Sequence, residues 1–371
     1  MSSIEVQPIQ LPGDVVPWVS SWWEIYKGDP HWVAPLLLER KAFFDPAQNP
    51  YFRHADIRCF RAVRDGKVVG TISATVDHTL QEHDKGVGMI GFFEFVDDQD
   101  VSRALYEAAA AWLKERGMTR VRGPFNFSPN HEFGLLVDGF DSDPVIANPH
   151  ARPYMEAHWD ALGFDKARDW YAYWLDKGEI PERVARVSER FMKRHPDVTL
   201  RKADMSRWED DLQHVWDIYN AAWEDNWGHA HFSRDEFDFT AKGLKQVINP
   251  DLIWFAYKGD EMAGFTITLP DFNQVAKKMN GRIFPFGWWH YLMGQRKIDA
   301  LRVFVLGIHP KFQRLPLGAP LYIKTWEEGS KLNIRGAECS LVLEDNHRMR
   351  GALEKLGGSI YKTYRTYEQG L

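Results

Sequence analysis

The stretch Arg302-Val-Phe-Val-Leu-Gly-Ile-His-Pro310, continued by Lys311-Phe-Gln-Arg-Leu-Pro-Leu-Gly-Ala319, decides how this chain is read. An apolar run feeds a short loop. From Gly318 onward the spacing turns helical: Gly318, Tyr322, Thr325, Trp326, Gly329 and Leu332 fall on one face. A helix opening directly from such a loop presents backbone N–H groups and the positive end of its dipole to whatever lies in front of it. That arrangement suits a phosphate-bearing ligand. Pro316, inside the loop, has no N–H to offer, although its fixed φ suits a first helical turn. The same residues also read as an ordinary strand-turn-helix connection, and the loop alone leaves both readings open.

Working outward, the stretch belongs to a unit that occurs twice. Residues 61–77, RAVRDGKVVGTISATVD, match residues 255–271, FAYKGDEMAGFTITLPD. Gly70 pairs with Gly264, Asp77 with Asp271, Leu162-Gly163 with Leu356-Gly357 and Tyr173 with Tyr367, always 194 residues apart. A register held over about a hundred residues implies two copies of one α/β unit. Each copy opens with two β-rich runs around a turn signal, Asp65-Gly66 or Lys258-Gly259-Asp260. A strand and an amphipathic helix follow. In the first copy Val101, Leu105, Ala108, Trp112 and Leu113 share a helical face, and Gly117 supplies the stop. Arg120 to Phe127 and Ala337 to Leu343 read as the next strands, and each copy closes with a helix, a Leu-Gly turn and a Tyr-rich strand. The seam falls near Leu175–Pro181; a helix is expected from Glu182 to Arg194, and Val198–Leu200 then mirrors Ile4–Val6. The expected domains are 1–178 and 179–371.

The copies differ where ligand chemistry would sit. Opposite Gln313-Arg314 the first copy carries Phe92-Phe-Glu-Phe-Val-Asp-Asp-Gln-Asp-Val101. Asp97, Asp98 and Asp100 are good helix-start residues but would repel a pyrophosphate. The first copy is therefore expected to be degenerate, with a structural or substrate-covering role. Two further segments are candidate binding loops. Gly123-Pro-Phe-Asn-Phe-Ser-Pro-Asn-His-Glu-Phe-Gly134 places Asn126, Asn130, His131 and Glu132 after a strand of the first copy. Trp223-Glu-Asp-Asn-Trp-Gly-His-Ala-His231 lies between the first two helices of the second. His229 and His231 lack the helical spacing of a metal motif, so no metal is expected, and a polar loop network is the plain alternative for both segments.

Composition narrows the class. With 371 residues, 44% hydrophobic and 26% charged, the chain is globular and long enough for two domains. A net charge of -6 argues against a nucleic-acid surface. Cys59 and Cys339 have no metal-like spacing and make no disulfide framework, which fits a reducing cytoplasm. There is no charged n-region with an apolar run at the start, and no apolar stretch long enough to span a bilayer. Sixteen Trp are many for such a chain. The run Phe284-Pro-Phe-Gly-Trp-Trp-His-Tyr-Leu-Met293 stands out: it suits core edges, a greasy channel or a membrane surface.

The order strand, helices, hairpin, strand, loop-helix, strand, helix, strand resembles the GNAT acyltransferase superfamily. The acyl-CoA loop of that superfamily reads Gln/Arg-x-x-Gly-x-Gly/Ala. Gln313, Arg314, Leu317, Gly318 and Ala319 fit that spacing, with Pro316 in place of the first glycine. Nearly the whole chain resembles a bacterial tandem-GNAT family, through Gly123-Pro-Phe-Asn, Leu136-Val-Asp-Gly-Phe140, Trp223 to Gly228, Asn280-Gly-Arg-Ile-Phe-Pro-Phe286, Leu343-Glu-Asp-Asn346 and Tyr361-Lys-Thr-Tyr-Arg365. That group is also similar to ceramide synthases of bacteria, which are acyl-CoA-dependent and N-acylate a sphingoid base.

The resemblance implies an α/β fold of two tandem GNAT-like units, each a mixed, mostly antiparallel sheet flanked by helices. It implies acyl-CoA as donor, held in the second unit by Leu306, Gly307, Ile308, Gln313, Arg314, Leu317, Gly318, Ala319 and Asn346. The N–H near Ile308 would polarise the thioester carbonyl. Asn346 also reads as a plain helix N-cap. The acceptor would be an amine, long-chained and lipidic, met at a peripheral membrane contact by a cytoplasmic enzyme. Candidate acceptor-binding residues are Asn130, His131, Glu132, Trp223, Asn226, Trp227, Phe286, Trp288 and Trp289. An attacking amine must lose a proton, so a base is needed. Glu344 and His309, at the ends of the two central strands, are the candidates. Many GNAT enzymes carry a tyrosine acid where this chain has Leu353. A generic N-acetyltransferase acting on a small amine, a non-catalytic acyl-CoA or lipid binder, and an aminoacyl-tRNA-dependent transferase are the alternatives.

Overall fold

The computed structural model describes residues 3–224 and 226–371. Its strands, in chain order, are β1 (Glu5–Pro8), β2 (Ala55–Arg64), β3 (Lys67–Asp77), β4 (Val87–Phe95), β5 (Arg120–Gly123), β6 (Leu135–Asp138) and β7 (Asp165–Asp176), then β8 (Val198–Lys202), β9 (Ile253–Lys258), β10 (Glu261–Pro270), β11 (Ala300–Ile308), β12 (Gly336–Leu343) and β13 (Ser359–Gly370).

Local chemistry repeats as the sequence repeat requires. Asp65 and Gly66 take left-handed backbone, φ 50° and 73°, and so close the β2–β3 hairpin with the twist its strands need. Gly259, φ 61°, serves the β9–β10 hairpin. Gly70 and Gly264 occupy the same place, opposite Phe95 of β4 and Ile308 of β11. Gly163 and Gly357, φ 85° and 89°, terminate the helices Met155–Ala161 and His347–Lys355. The helix expected at Glu182–Arg194 has those bounds. The strand expected from Arg120 to Phe127 ends at Gly123, because Pro124 cannot donate to a ladder and the chain turns back on itself.

Two units emerge from the packing. Unit 1 comprises residues 1–170, 275–292 and 362–371; unit 2 comprises 171–274 and 293–361. The order in unit 1 is β1-β2-β3-β4-β5 and then the end of β13, with β6 also on β13. In unit 2 it is β8-β9-β10-β11-β12 and then the end of β7. In each unit the first strands pair antiparallel and are followed by one parallel pair, β4–β5 or β11–β12. The expected cut at 178/179 follows the sequence repeat. The packed units are drawn differently: each takes its last strand from the other copy, and residues 275–292 of the second copy belong to unit 1.

Aromatic residues build the unit 1 core. Trp18 is fully buried, with its ring 5.2 Å from Phe44; Phe44 lies 4.8 Å from Phe92, and Phe43 stacks on Phe127 at 5.0 Å. In unit 2 a cluster of Phe191, Val198, Trp254, Ala256, Ala263, Phe312, Leu317 and Leu321 lies beneath the 309–319 loop. Phe312 and Leu317 are loop residues, so the hydrophobic effect that folds the unit also pins the loop. Among the described residues no helix is long and apolar enough to cross a membrane. Leu317 is fully buried, and Leu317→Ala should lower the stability of unit 2 by about 2–5 kcal/mol. Urea unfolding followed by unit 2 tryptophans measures this, and an unchanged midpoint would show that the loop is not seated in the core.

A candidate acyl-transfer site in unit 2

The site begins where a ladder stops. β11 and β12 run parallel in register from Ala300↔Gly336 to Val303↔Cys339, and no pairing continues beyond. The two strands part over Phe304–Ile308 and Ser340–Leu343. On the other edge of β11 the antiparallel ladder continues, with Gly264↔Ile308, and His309 N–H donates to the Ala263 carbonyl at 3.0 Å. Alternation along such a ladder turns the N–H groups of Leu306 and Ile308 away from β10, towards the gap. Gly307 lies between them. A Cβ there would sit 2.7 Å from the Phe265 ring and 3.1 Å from the Trp223 ring, so only glycine fits. At the vertex, buried Glu338 accepts from the hydroxyls of Ser340, at 2.5 Å, and Tyr361, with Arg302 Nε 3.8 Å away.

Beyond the gap comes the loop. Phe312, Gln313, Leu315 and Ala319 donate their N–H groups to the carbonyls of His309, Pro310, Phe312 and Pro316. The N–H groups of Arg314, Leu317 and Gly318 make no backbone hydrogen bond among the described residues. They cluster at the start of the helix Gly318–Ser330, whose N-cap residue Leu317 supplies no side-chain cap. Gly318 faces open space: a Cβ would meet only Tyr322, at 3.8 Å. Arg348 of the following helix donates to the Gln313 carbonyl at 2.6 Å, tying the loop from the other side. The geometry is that of an anion cradle at a helix start.

His309 caps the short 3-10 turn Pro310–Phe312, its Nδ1 accepting from Lys311 N–H at 3.2 Å. Glu344, half-buried, follows the end of β12, and its carbonyl accepts from Arg350 at 2.6 Å. Asn346 caps the helix His347–Lys355 by accepting from Met349 N–H at 3.1 Å. Leu353 is fully buried among Tyr173, Leu175, Cys339, Val342 and Leu356. The nearby Tyr322 hydroxyl donates to Met349 Sδ at 3.0 Å, and burial raises its pKa.

Trp223 ends the helix Trp208–Trp223 and stacks on Tyr219 at 4.8 Å. Burial pushes the Tyr219 hydroxyl up to about 12. Asn226 and His229 continue in a turn from Trp223, with Trp227 between them, while Asp225 lies outside the described residues.

Unit 1 holds the counterpart, and its gap is filled. β4–β5 pairing ends at Met89↔Arg122, after which the chain crosses back against β4. Phe125 N–H donates to the Ile90 carbonyl at 2.8 Å, and Asn126 Oδ1 accepts from Phe92 N–H at 2.8 Å. A Cβ on Gly91 would lie 1.8 Å from the Phe125 carbonyl oxygen. The helix Gln99–Glu115 is capped by its own acid: Asp98 accepts from Asp100 N–H at 2.9 Å and from Arg64 at 2.8 Å. Burial opposes the Asp98 charge, but these bonds hold the carboxyl below its usual range.

Asn130 N–H donates to Ser128 Oγ, and His131 packs edge-on against Phe43 at 5.0 Å. Glu132 takes two bonds, both 2.8 Å, from buried Arg40. Nearby Glu94 accepts from Tyr26 at 2.5 Å. Tyr26, Arg40 and Glu94 were not singled out from the sequence; the acid inside Phe92-Phe-Glu-Phe95 is the signal that marks Glu94. Phe286, Trp288 and Trp289 are exposed on unit 1.

Full-length relatives share this sequence. The bacterial ceramide synthase of Caulobacter vibrioides is 36% identical over 381 aligned residues, covering 100% of this chain and 98% of its own. Protein YghO of Escherichia coli is 33% identical, covering 93% and 90%. No family model matches the chain. Among solved structures, a tandem GNAT protein from the clavulanic acid biosynthesis pathway shares the fold over 99% of this chain and 98% of its own, with a TM-score of 0.57 at 12% identity. A GCN5-related N-acetyltransferase from Sphaerobacter thermophilus covers 99% and 95%, with a TM-score of 0.53 at 9% identity. These two likenesses establish the tandem GNAT fold.

The unit 1 network makes a pH prediction. Burial, reinforced by the Glu132 charge and opposed by the Tyr26 bond and Arg40, pushes the Glu94 carboxyl up to about 7. The folded chain thus holds this proton more tightly than the unfolded chain, where a glutamate titrates near ~4.3. The associated stability is fully present below that unfolded value and is lost as pH rises through about 7. Glu94→Gln should flatten the fall in unit 1 stability between pH 5 and 8, measured by urea midpoints. Equal slopes for the two proteins would contradict this.

Proposed function

Since the chain belongs to the family of the bacterial ceramide synthase and is a tandem-GNAT acyltransferase, we propose that it moves a fatty acyl group from acyl-CoA to the amine of a long-chain sphingoid base. The observation that carries the donor half of this reading is the gap between β11 and β12, which runs from the N–H groups of Leu306 and Ile308 to those of Arg314, Leu317 and Gly318. In this reading the pyrophosphate takes the loop donors and the pantetheine arm lies in the gap, where it completes the edge of β11. The side-chain amide of Asn346 reaches the arm while its oxygen caps the helix. The thioester carbonyl then lies beside Ile308.

The amine nitrogen attacks the thioester carbon, the carbonyl pair moves to oxygen, and a backbone N–H stabilises the oxyanion. The tetrahedral species collapses by breaking the C–S bond, and the amine's proton passes to a base. Glu344 fits that role better than His309. A neutral imidazole that accepts at Nδ1 carries its proton on Nε2, so the ring bonded to Lys311 N–H has no lone pair left to take another. With Leu353 in place of a tyrosine, that position offers no acid to the sulfur. A thiol of pKa ~8.5 leaves without one. Trp223, Asn226 and Trp227 are the acceptor-side residues of this unit.

Three measurements test the reading. Gly318→Glu adds charge to the cradle without disturbing packing, so calorimetry should show lost acyl-CoA affinity with an unchanged melting profile; equal binding would remove the loop from the site. Glu344→Gln should slow turnover by about a hundred- to ten-thousandfold, with His309→Ala milder; the reverse order would make His309 the base. Each buried CH₂ is worth ~0.8 kcal/mol, so kcat/KM should climb steeply from acetyl-CoA to long acyl-CoA and with acceptor length. A preference for acetyl-CoA with a small soluble amine would return the protein to generic N-acetylation.

A further inference from the structure

Residues 280–292, in unit 1, form a braced ridge that points apolar side chains at solvent. Its base is sewn down. Trp23 Nε1 donates to Asn280 Oδ1 at 2.8 Å, and Leu37 N–H donates to the Gly281 carbonyl at 3.0 Å. Gly281 has φ 76°, and a Cβ there would come within 2.4 Å of the Trp23 ring. The loop then closes on itself: Trp288 N–H donates to the Ile283 carbonyl and its indole N–H to the Pro285 carbonyl, both at 2.8 Å. A Cβ on Gly287 would lie 1.9 Å from the Arg282 carbonyl oxygen. From this rigid turn Phe284 stands 77% exposed and Phe286 72%, followed by Trp289 at 52% and Leu292 at 58%. Single exposed apolar residues need no explanation, but a contiguous ridge held outward by specific hydrogen bonds marks an interaction site.

Charge identifies the partner. The whole chain carries -6, yet residues 275–292 of unit 1 contain no Asp or Glu while holding Lys277, Lys278 and Arg282. Lys277 is spent on Asp143, at 2.6 Å. Lys278 and Arg282 are exposed beside the ridge and form no ion pair among the described residues. Aromatic rings with free cations next to them match the boundary of an anionic bilayer, where rings sit at headgroup depth and cations meet lipid phosphates. A second copy of this chain is a poorer occupant, because a two-fold contact through the ridge would set Lys278 and Arg282 against like charges. Behind the ridge a cleft of about 550 Å³, lined by Trp23, Leu37, Met279 and Phe284, adds an apolar recess at the same surface.

We propose that the ridge Phe284–Leu292, with Lys278 and Arg282, is a docking surface for an anionic lipid bilayer. The proposal stands on the ridge alone and does not depend on the acyl-transfer reading. The test is co-sedimentation of the full chain, without substrates, with vesicles of phosphatidylglycerol and phosphatidylcholine or of phosphatidylcholine alone. Partitioning should be at least tenfold stronger on the anionic vesicles and should weaken with added salt. The double variants F284S/F286S and K278E/R282E, all at exposed positions, should each lose at least tenfold, with unchanged thermal unfolding by circular dichroism. Failure to bind anionic vesicles, or equal binding by both variants, would overturn the proposal. So would self-association in sedimentation equilibrium that F284S/F286S abolishes while vesicles remain unbound.

Discussion

The parting of β11 from β12 after Val303 and Cys339 is the constraint on which the rest of the site depends. A parallel ladder that stops mid-strand leaves backbone donors on an edge, and buried donors require partners. Everything around the gap keeps it open and in shape. Glu338, Ser340, Tyr361 and Arg302 fix its vertex. Phe312 and Leu317 hold its outer loop against the core, and Arg348 ties the same loop from the next helix. Gly307 lets Phe265 and Trp223 close over one side of β11. In the proposed reading, an extended ligand arm ending in a phosphate takes these donors.

Unit 1 resolves the same constraint differently. There Asn126 supplies the oxygen that Phe92 N–H needs, the returning chain packs against Gly91, and Asp98 caps the helix that would otherwise face an anion. The unit 1 gap is thus satisfied internally, while among the described residues the unit 2 gap is not. Beside the unit 1 gap lies a polar network between aromatic layers, in which Tyr26 donates to Glu94 and to the His150 carbonyl, and Arg40 and Asn126 donate to Glu132. The last strands of the two copies are exchanged, so each unit's sheet is completed by sequence from the other.

Much of this was legible in the sequence because it rests on local chemistry. Turn glycines, the helix stop at Gly357 and the 194-residue register report backbone conformations that few residues tolerate. The strand-loop-helix at 302–330 was legible for the same reason. The strand exchange was not, because β7 and β13 have equivalent patterns and nothing in the sequence says which sheet each joins. Nor was the role of His309, whose ring caps Lys311: which nitrogen accepts is decided by a hydrogen bond. The Arg40–Glu132 pair lies 92 residues apart in sequence and has no periodicity to betray it. Leu317, by contrast, reads as one more loop residue until its burial makes it the seat of the cradle.

Amide hydrogen exchange with and without saturating long-chain acyl-CoA tests the central claim most directly, because it reads the donors themselves. The account predicts slowed exchange at Arg314, Leu317 and Gly318 and along Leu306–Ile308, with no change at Phe92 or at Asp98–Ser102. Protection at the unit 1 positions, or bound acyl-CoA with unaltered exchange across 314–318, would contradict it.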